Sequence, residues 1–237
     1  MGKLLTEFID LSDLRMAYTQ YGNGPVLILL HGNSQSKKIF GRYQTEYFKN
    51  YHTIAVDSRG HGESVSIDNE YSIDQFSDDI IRLCKVKNIK QAYLIGYSDG
   101  GNISLLLAKK APQIFRKIVA VSPNYLVNGL KEGTLKFIKY LVKTFTFIGK
   151  FGLNTKESIM KFMLMLNDIG ITADGLKSIQ ANIKILYAEK DVVKEEHIQE
   201  ITNLIPDCSK QKINHCSHLT ILKQKETIEV INQYLCY

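Results

Sequence analysis

Short apolar runs alternate with segments of helical period along most of this 237-residue chain. The runs near 26–30, 52–56, 92–96, 117–121 and 183–187 are rich in Val, Ile, Leu and Tyr, and most are almost unbroken by polar residues; a further strand is expected near 210–214, where Ile213 is the one apolar residue. Such runs mark strands buried on both faces, as in a parallel sheet. Between them, apolar residues recur at three- and four-residue spacing and predict helices over Ile39 to Phe48, Ile73 to Val86, Asp99 to Lys109, Lys194 to Leu204 and about Leu219 to Leu235. Pro112 and Pro206 fall just past two of these, where a helix stops. Leu4 to Leu11 and Leu14 to Tyr21 read as an opening hairpin, bringing the expected sheet to eight strands with helices on both faces.

The rhythm breaks between about 124 and 179, where no strand pattern occurs and amphipathic runs such as Leu135 to Phe147 and Ser158 to Leu166 predict a small helical cap inserted after the sixth strand. Its apolar residues, among them Phe137, Tyr140, Phe145, Phe151, Phe162, Met163 and Met165, are expected to face the sheet domain or a substrate pocket beneath the cap. With 44% hydrophobic residues, the chain has material for one well-filled core, so a single domain spanning 1–237 with this insertion is expected.

The net charge of +6 is spread through Lys-rich helices without a dense basic block, so it reads as solvated surface and predicts no nucleic-acid partner. Cys84, Cys208, Cys216 and Cys236 show neither a CxxC pair nor metal-ligand spacing, and are expected as free thiols in a reducing cytoplasm, with no bound metal. No apolar run reaches the roughly 18 residues of a membrane span, and the first residues lack the basic-then-apolar pattern of an export signal. The expected location is therefore cytoplasmic, without a membrane partner.

The chemistry concentrates at Gly96-Tyr97-Ser98-Asp99-Gly100, which follows the run Ala92 to Ile95 and leads directly into Gly101-Asn102-Ile103-Ser104-Leu105. A strand, a sharp turn and a helix thus meet at one serine. The Gly-x-Ser-x-Gly pattern predicts a strained serine with positive φ, its hydroxyl exposed at the tip of a sheet. Four further stretches stand in a telling order. Upstream are His31-Gly32-Asn33 after the 26–30 run, and Asp57-Ser58-Arg59-Gly60-His61-Gly62-Glu63-Ser64 after the 52–56 run. Downstream are Asp191 after the 183–187 run and His218 after the 210–214 stretch.

On these residues the chain resembles the α/β-hydrolase family over nearly its whole length. The resemblance implies Ser98 as nucleophile, His218 as the base that takes its proton, and Asp191 as the acid that orients the imidazole, in the chain order of this fold. His215 is the rival histidine, three residues earlier, and Glu189 the rival acid. A family variant places the acid after the preceding strand, but Val121 is followed by Ser122, Pro123 and Asn124, none of them a carboxylate. The resemblance also implies backbone N–H groups of Asn33 and Asp99 as the oxyanion hole. His31, Arg59 and His61 are expected to brace loops.

Asp99 places a carboxylate beside the nucleophile, where an uncharged residue is common. The Gly-x-Ser-Asp-Gly-Gly form is shared with small-capped amino-acid-ester hydrolases, so Asp99 either pairs with a substrate ammonium or caps the helix as a solvated acid. The expected activity is hydrolysis of a small carboxylic ester through an acyl-enzyme, with no cofactor. The same triad also serves thioesters, lactones, amides and some carbon–carbon bonds, and a non-hydrolytic ligand receptor on this fold is the alternative from another class.

Overall fold

In the computed structural model, which describes residues 4–67 and 71–236, alternate residues of each central strand point into two different apolar layers. Ile28, Leu30, Ile54, Val56, Leu94, Ile118, Ile183 and Ile185 face one layer, and Leu27, Leu29, Ala55, Ile95, Val119 and Leu186 face the other. A period-2 backbone lined with apolar residues on both sides requires cover on both sides, which is why the runs carry no polar alternation. The first layer is closed by α1 (Ile73–Val86), α2 (Asp99–Lys110) and α6 (Glu195–Leu204), the second by Phe40, Tyr43, Phe48 and α7 (Lys225–Leu235). Ser72 caps α1 by accepting from the Gln75 N–H at 3.0 Å.

Nine strands appear among the described residues: β1 (Glu7–Asp10), β2 (Leu14–Tyr21), β3 (Val26–Leu30), β4 (His52–Val56), β5 (Val65–Ser66), β6 (Ala92–Tyr97), β7 (Phe115–Val121), β8 (Asn182–Lys190) and β9 (Cys208–Ser217). Eight of them form the path β1-β2-β4-β3-β6-β7-β8-β9, antiparallel at β1–β2 and β2–β4 and parallel elsewhere. The two-residue β5 pairs with β2 outside this path and was not visible as a run, so the helical insertion follows β7 in chain order rather than a sixth strand. The chain leaves β3 to one side toward β4 and returns on the other at β6. That reversal opens a crevice at the carboxyl ends of the strands.

Two expected helices differ in form. The helix expected over Ile39 to Phe48 is present in irregular form: a 3-10 turn, Lys37–Phe40, continues through Gly41 and Arg42 into a π-helical turn, Tyr43–Tyr47. Tyr43 there stacks on Phe48 at 5.5 Å while Gln44 reaches Thr19 and Thr53 in the sheet. The last helix begins at Lys225, after a separate 3-10 turn at Ile221–Lys223.

Between β7 and β8 run α3 (Glu132–Gly149), α4 (Lys156–Leu164) and the short α5 (Ala173–Lys177). Ile138 is buried, and Phe145 of α3 meets Phe162 of α4 at 5.5 Å. The aromatic and methionine residues of this insertion do not all face inward, however. Phe137, Tyr140, Phe151 and Met163 are exposed; for Phe137 and Tyr140 this is because the inner face of α3 is taken by Leu135, Ile138 and Phe145 of the same helix.

Candidate active site

The sheet register assembles the site. Leu30 pairs with Gly96, so the segment leaving β3 runs beside the segment leaving β6, and Val121 of β7 lies next to Tyr97 and Leu186. Ser98 sits at the turn from β6 into α2 with φ 55° and ψ −117°, a positive-φ conformation costly for a residue with a Cβ. Its flanking glycines are required by space. A Cβ on Gly96 would lie 2.0 Å from the Gly100 carbonyl oxygen, and one on Gly100 would lie 2.1 Å from that of Leu30.

His218 follows β9 directly and brings Nε2 to 3.0 Å from Ser98 Oγ and Nδ1 to 2.8 Å from Asp191 Oδ1. Tyr97 supports it from below, donating its hydroxyl to the His218 carbonyl at 2.8 Å. Asp191 comes immediately after β8 and is almost fully buried. Besides His218, its carboxylate accepts from the Ser122 hydroxyl, from the Ala188 N–H at 2.8 Å and from the Val193 N–H at 3.2 Å. Burial alone would raise this carboxyl; the bonds from His218, Ser122 and Ala188 outweigh it and hold Asp191 below the ordinary carboxylate value. With Asp191 ionised, the Nδ1 proton of His218 points at it, leaving Nε2 to receive a proton from Ser98.

The rivals lie elsewhere. The His215 side chain is 97% exposed, its backbone takes φ 55°, and its N–H donates to Glu189 Oε2 at 2.7 Å, which turns both residues away from His218. Ser122, which stands where a carboxylate was sought and not found, holds the carboxylate of the next strand instead. Its place directly after the β7 run is the signal the sequence offers; in the structure it takes φ 53°.

Asn33 and Asp99 flank Ser98 on the other side. Gly32 approaches so closely that a Cβ there would stand 2.9 Å from Ser98 Cβ, and Asp99 opens α2, where N–H groups lack intrahelical acceptors. The Asn33 side chain was not foreseen as a participant. Its Nδ2 donates to Asp99 Oδ2 at 2.9 Å and to the Lys161 carbonyl of α4 at 2.7 Å. The last turn of α4 tightens, with Met165 N–H bonding the Phe162 carbonyl, and the Lys161 carbonyl is thereby presented to Asn33. Asp99 is 7% exposed; burial pushes its carboxyl above the ordinary value, with Asn33 and His218 opposing.

The residues expected as braces do brace. His31 accepts from the Ser58 N–H at 3.1 Å through Nε2, which leaves the Nδ1 proton to bond the Gly32 carbonyl at 2.7 Å. Asp57 is fully buried and accepts from the Lys37 ammonium at 2.6 Å, the Lys37 N–H at 2.6 Å and the Glu63 N–H at 2.8 Å. Arg59 joins Asp79 and Asp13 at 2.9 and 2.6 Å. His61 is buried beside His31, and burial pushes its ring down to about 3, so it stays neutral.

A cleft of about 640 Å³ reaches the edge of the site. It is lined by Tyr97, by Leu219 next to His218, and by Gln35, whose Oε1 accepts from the Gly32 N–H at 3.1 Å. A larger cavity of about 900 Å³, lined by Val26, Ala92, Arg116 and Asn182, lies at the opposite, N-terminal ends of the strands, away from Ser98. Among the described residues no three or more His, Cys, Asp or Glu side chains are grouped to hold a metal ion.

Residues 25–166 match the family described as alpha/beta hydrolase fold. A 113-residue stretch is 30% identical to 2-(acetamidomethylene)succinate hydrolase of Mesorhizobium japonicum, covering 48% of this chain and 41% of that protein. This chain thus matches less than half the length of that curated relative. The crystal structure of an E-2-(acetamidomethylene)succinate hydrolase superposes with a TM-score of 0.83 at 17% identity, over 99% of this chain and 100% of that one. A structure from work on carboxylesterases of the thaumarchaeon Nitrososphaera gargenis superposes at 0.81 with 19% identity, over 97% and 98%. At these identities the two superpositions establish the shared fold.

Proposed function

Since this chain belongs to the alpha/beta hydrolase fold family, we propose that it is a serine hydrolase cleaving small carboxylic esters through an acyl-enzyme. The observation that carries the reading is the unbroken hydrogen-bonded path from Ser98 Oγ through His218 to Asp191, at 3.0 and 2.8 Å. In the proposed reaction Ser98 Oγ attacks the ester carbonyl carbon while His218 Nε2 takes its proton. The carbonyl oxygen becomes an oxyanion held by the N–H groups of Asn33 and Asp99, the latter aided by the positive end of α2. His218 then gives the proton to the departing alcohol. Water, deprotonated by the same nitrogen, releases the acid and restores Ser98. Asp191 holds the imidazole in orientation and stabilises its cationic form throughout. The reaction calls on no metal or organic cofactor.

In this reading α3, α4 and α5 form a cap on a single catalytic domain, and the 640 Å³ cleft beside Tyr97 and Leu219 receives part of the substrate. Four thiols without disulfide partners fit residence in the cytoplasm. Asp99 is proposed to favour esters bearing an α-ammonium group, since a cation beside this buried carboxyl would offset the burial that pushes it up. Comparing an α-amino ester with its des-amino analogue on wild type and Asp99→Asn tests this; an unchanged preference removes the role.

The Mesorhizobium relative favours a second reading, because the substrate it is named for carries an acetamido group: the same triad acting on an amide-type bond. A panel of p-nitrophenyl esters and the matching anilides separates the two. Ser98→Ala should abolish turnover of p-nitrophenyl acetate and labelling by a fluorophosphonate. Full activity in that variant, with contaminating esterase excluded, sinks the serine mechanism. A wild-type protein that neither reacts with the probe nor turns over any member of the panel would point to a ligand receptor on this fold.

A further inference from the structure

The outer face of α3 is an unpartnered aromatic stripe. Phe137, Tyr140, Thr144, Phe147 and, in the turn just beyond the helix, Phe151 recur every three or four residues, the spacing that aligns side chains along one side of a helix. The four aromatics are 60%, 64%, 60% and 72% exposed, and Leu153 continues the patch at 62%. At 1.5 Å per residue the stripe is about 20 Å long. Nothing among the described residues explains it as packing. The opposite side of α3 already supplies the contacts that hold the helix down, through Leu135, Ile138 and Phe145.

Charge decides what covers the stripe. Lys136, Lys139, Lys143 and Lys150 are all exposed and, at the helical angle of 100° per residue, fall together along one border of the aromatic row. Glu132, the only acid in α3, lies at its first residue, 3.8 Å from Lys136. An apolar row edged by cations, on a helix with too many charges to span a bilayer, is the pattern of a helix lying in the plane of a lipid interface. We propose that this face of α3 docks on an anionic phospholipid surface, with the aromatic rings entering the acyl boundary and the lysines meeting headgroup phosphates. Phe147 and Phe151 already contact each other edge to face at 5.1 Å, forming a wedge at the C-terminal end of the row. The sequence held no membrane-spanning run, and a peripheral surface of this kind needs none. The proposal does not depend on the hydrolytic reading, because lipid binding is measured without turnover.

The test is co-sedimentation of the full chain, carrying Ser98→Ala so that no lipid is consumed. One set of vesicles is pure phosphatidylcholine and the other a phosphatidylcholine–phosphatidylglycerol mixture. Binding to the mixed vesicles is expected, weakening as salt rises and falling about fivefold for each lysine replaced by Gln among Lys136, Lys139 and Lys143. Phe137→Ser with Phe147→Ser should abolish binding while leaving the thermal midpoint in place, since both rings are exposed. Absence of binding to the anionic vesicles at low salt overturns the proposal, as does equal binding to both vesicle types or unchanged binding by the double variant. Sedimentation equilibrium addresses the other occupant. A lipid-free dimer dispersed by the same double substitution assigns the stripe to a second copy of the chain and overturns it as well.

Discussion

Asn33→Ala removes a side chain while keeping the backbone N–H assigned to the oxyanion hole, and its effect should depend on pH. The lost amide donates to the buried Asp99 carboxyl at 2.9 Å and to the Lys161 carbonyl at 2.7 Å. Asn33 is half-buried, so water can replace the amide at Lys161 and that bond contributes little to the difference. The Asp99 bond matters more. With the carboxyl protonated it is an ordinary hydrogen bond, and its loss costs about 1 kcal/mol; with the carboxyl ionised the loss rises to about 2 kcal/mol.

The sign follows from proton linkage. Burial raises the Asp99 carboxyl in the folded state, so its contribution to stability is full below the unfolded value and is lost as pH rises through the folded value. The Asn33 amide opposes that rise, and removing it lifts the folded value further. The stability deficit of Asn33→Ala should therefore be small at acid pH and grow as pH passes through the Asp99 midpoint. For a chain of this size the deficit corresponds to a thermal midpoint lower by ~2–4 °C at the acid end and ~4–8 °C at the alkaline end. Thermal scans of both proteins across a pH series measure it, with Asp191 cancelling because it is common to both. Asp99→Asn in both backgrounds should flatten the dependence. A deficit that is constant across pH, or that shrinks as pH rises, refutes the assignment of the Asn33 bond to an ionising Asp99.

Other expectations follow from the same contacts. His215→Ala should leave kcat/KM within about twofold, since its ring is 97% exposed, while His218→Ala should lower it by ~10⁴-fold or more in the same ester assay. Ser122→Ala removes one of the donors to Asp191 but leaves the Ala188 and Val193 N–H groups, so kcat should fall about tenfold with little change in KM. Asp57→Asn strands a Lys37 ammonium that is 1% exposed with Glu63 as its remaining carboxylate; a loss of about 3 kcal/mol, or ~6–12 °C in thermal midpoint, is expected by calorimetry.

What could be read from the chain, and what could not, divides along sequence distance. Ser98 was legible because strand, turn and helix are contiguous there, and Asp191 and His218 because each lies in the segment after a stretch expected as a strand, in the chain order of the fold. His218 was preferred to His215 by its place in the motif; the physical reason, a positive φ at the irregular end of β9 that turns His215 outward, is visible only in the structure. Ser122 meets Asp191 across 69 residues through the order and register of the strands, and the Asn33 side chain meets the Lys161 carbonyl across 128 residues through the placement of α4 over the sheet. The residues of α3 make the same point about surfaces. Periodicity showed that Phe137, Tyr140 and Phe145 belong to an amphipathic helix, yet a helix apolar over a wide arc has more than one side to bury. Phe145 faces Phe162 and the interior, whereas Phe137 and Tyr140, only a few residues away, point to solvent beside a row of lysines. Apolar spacing reports that a face must be covered; what covers it is decided by the charges that border it.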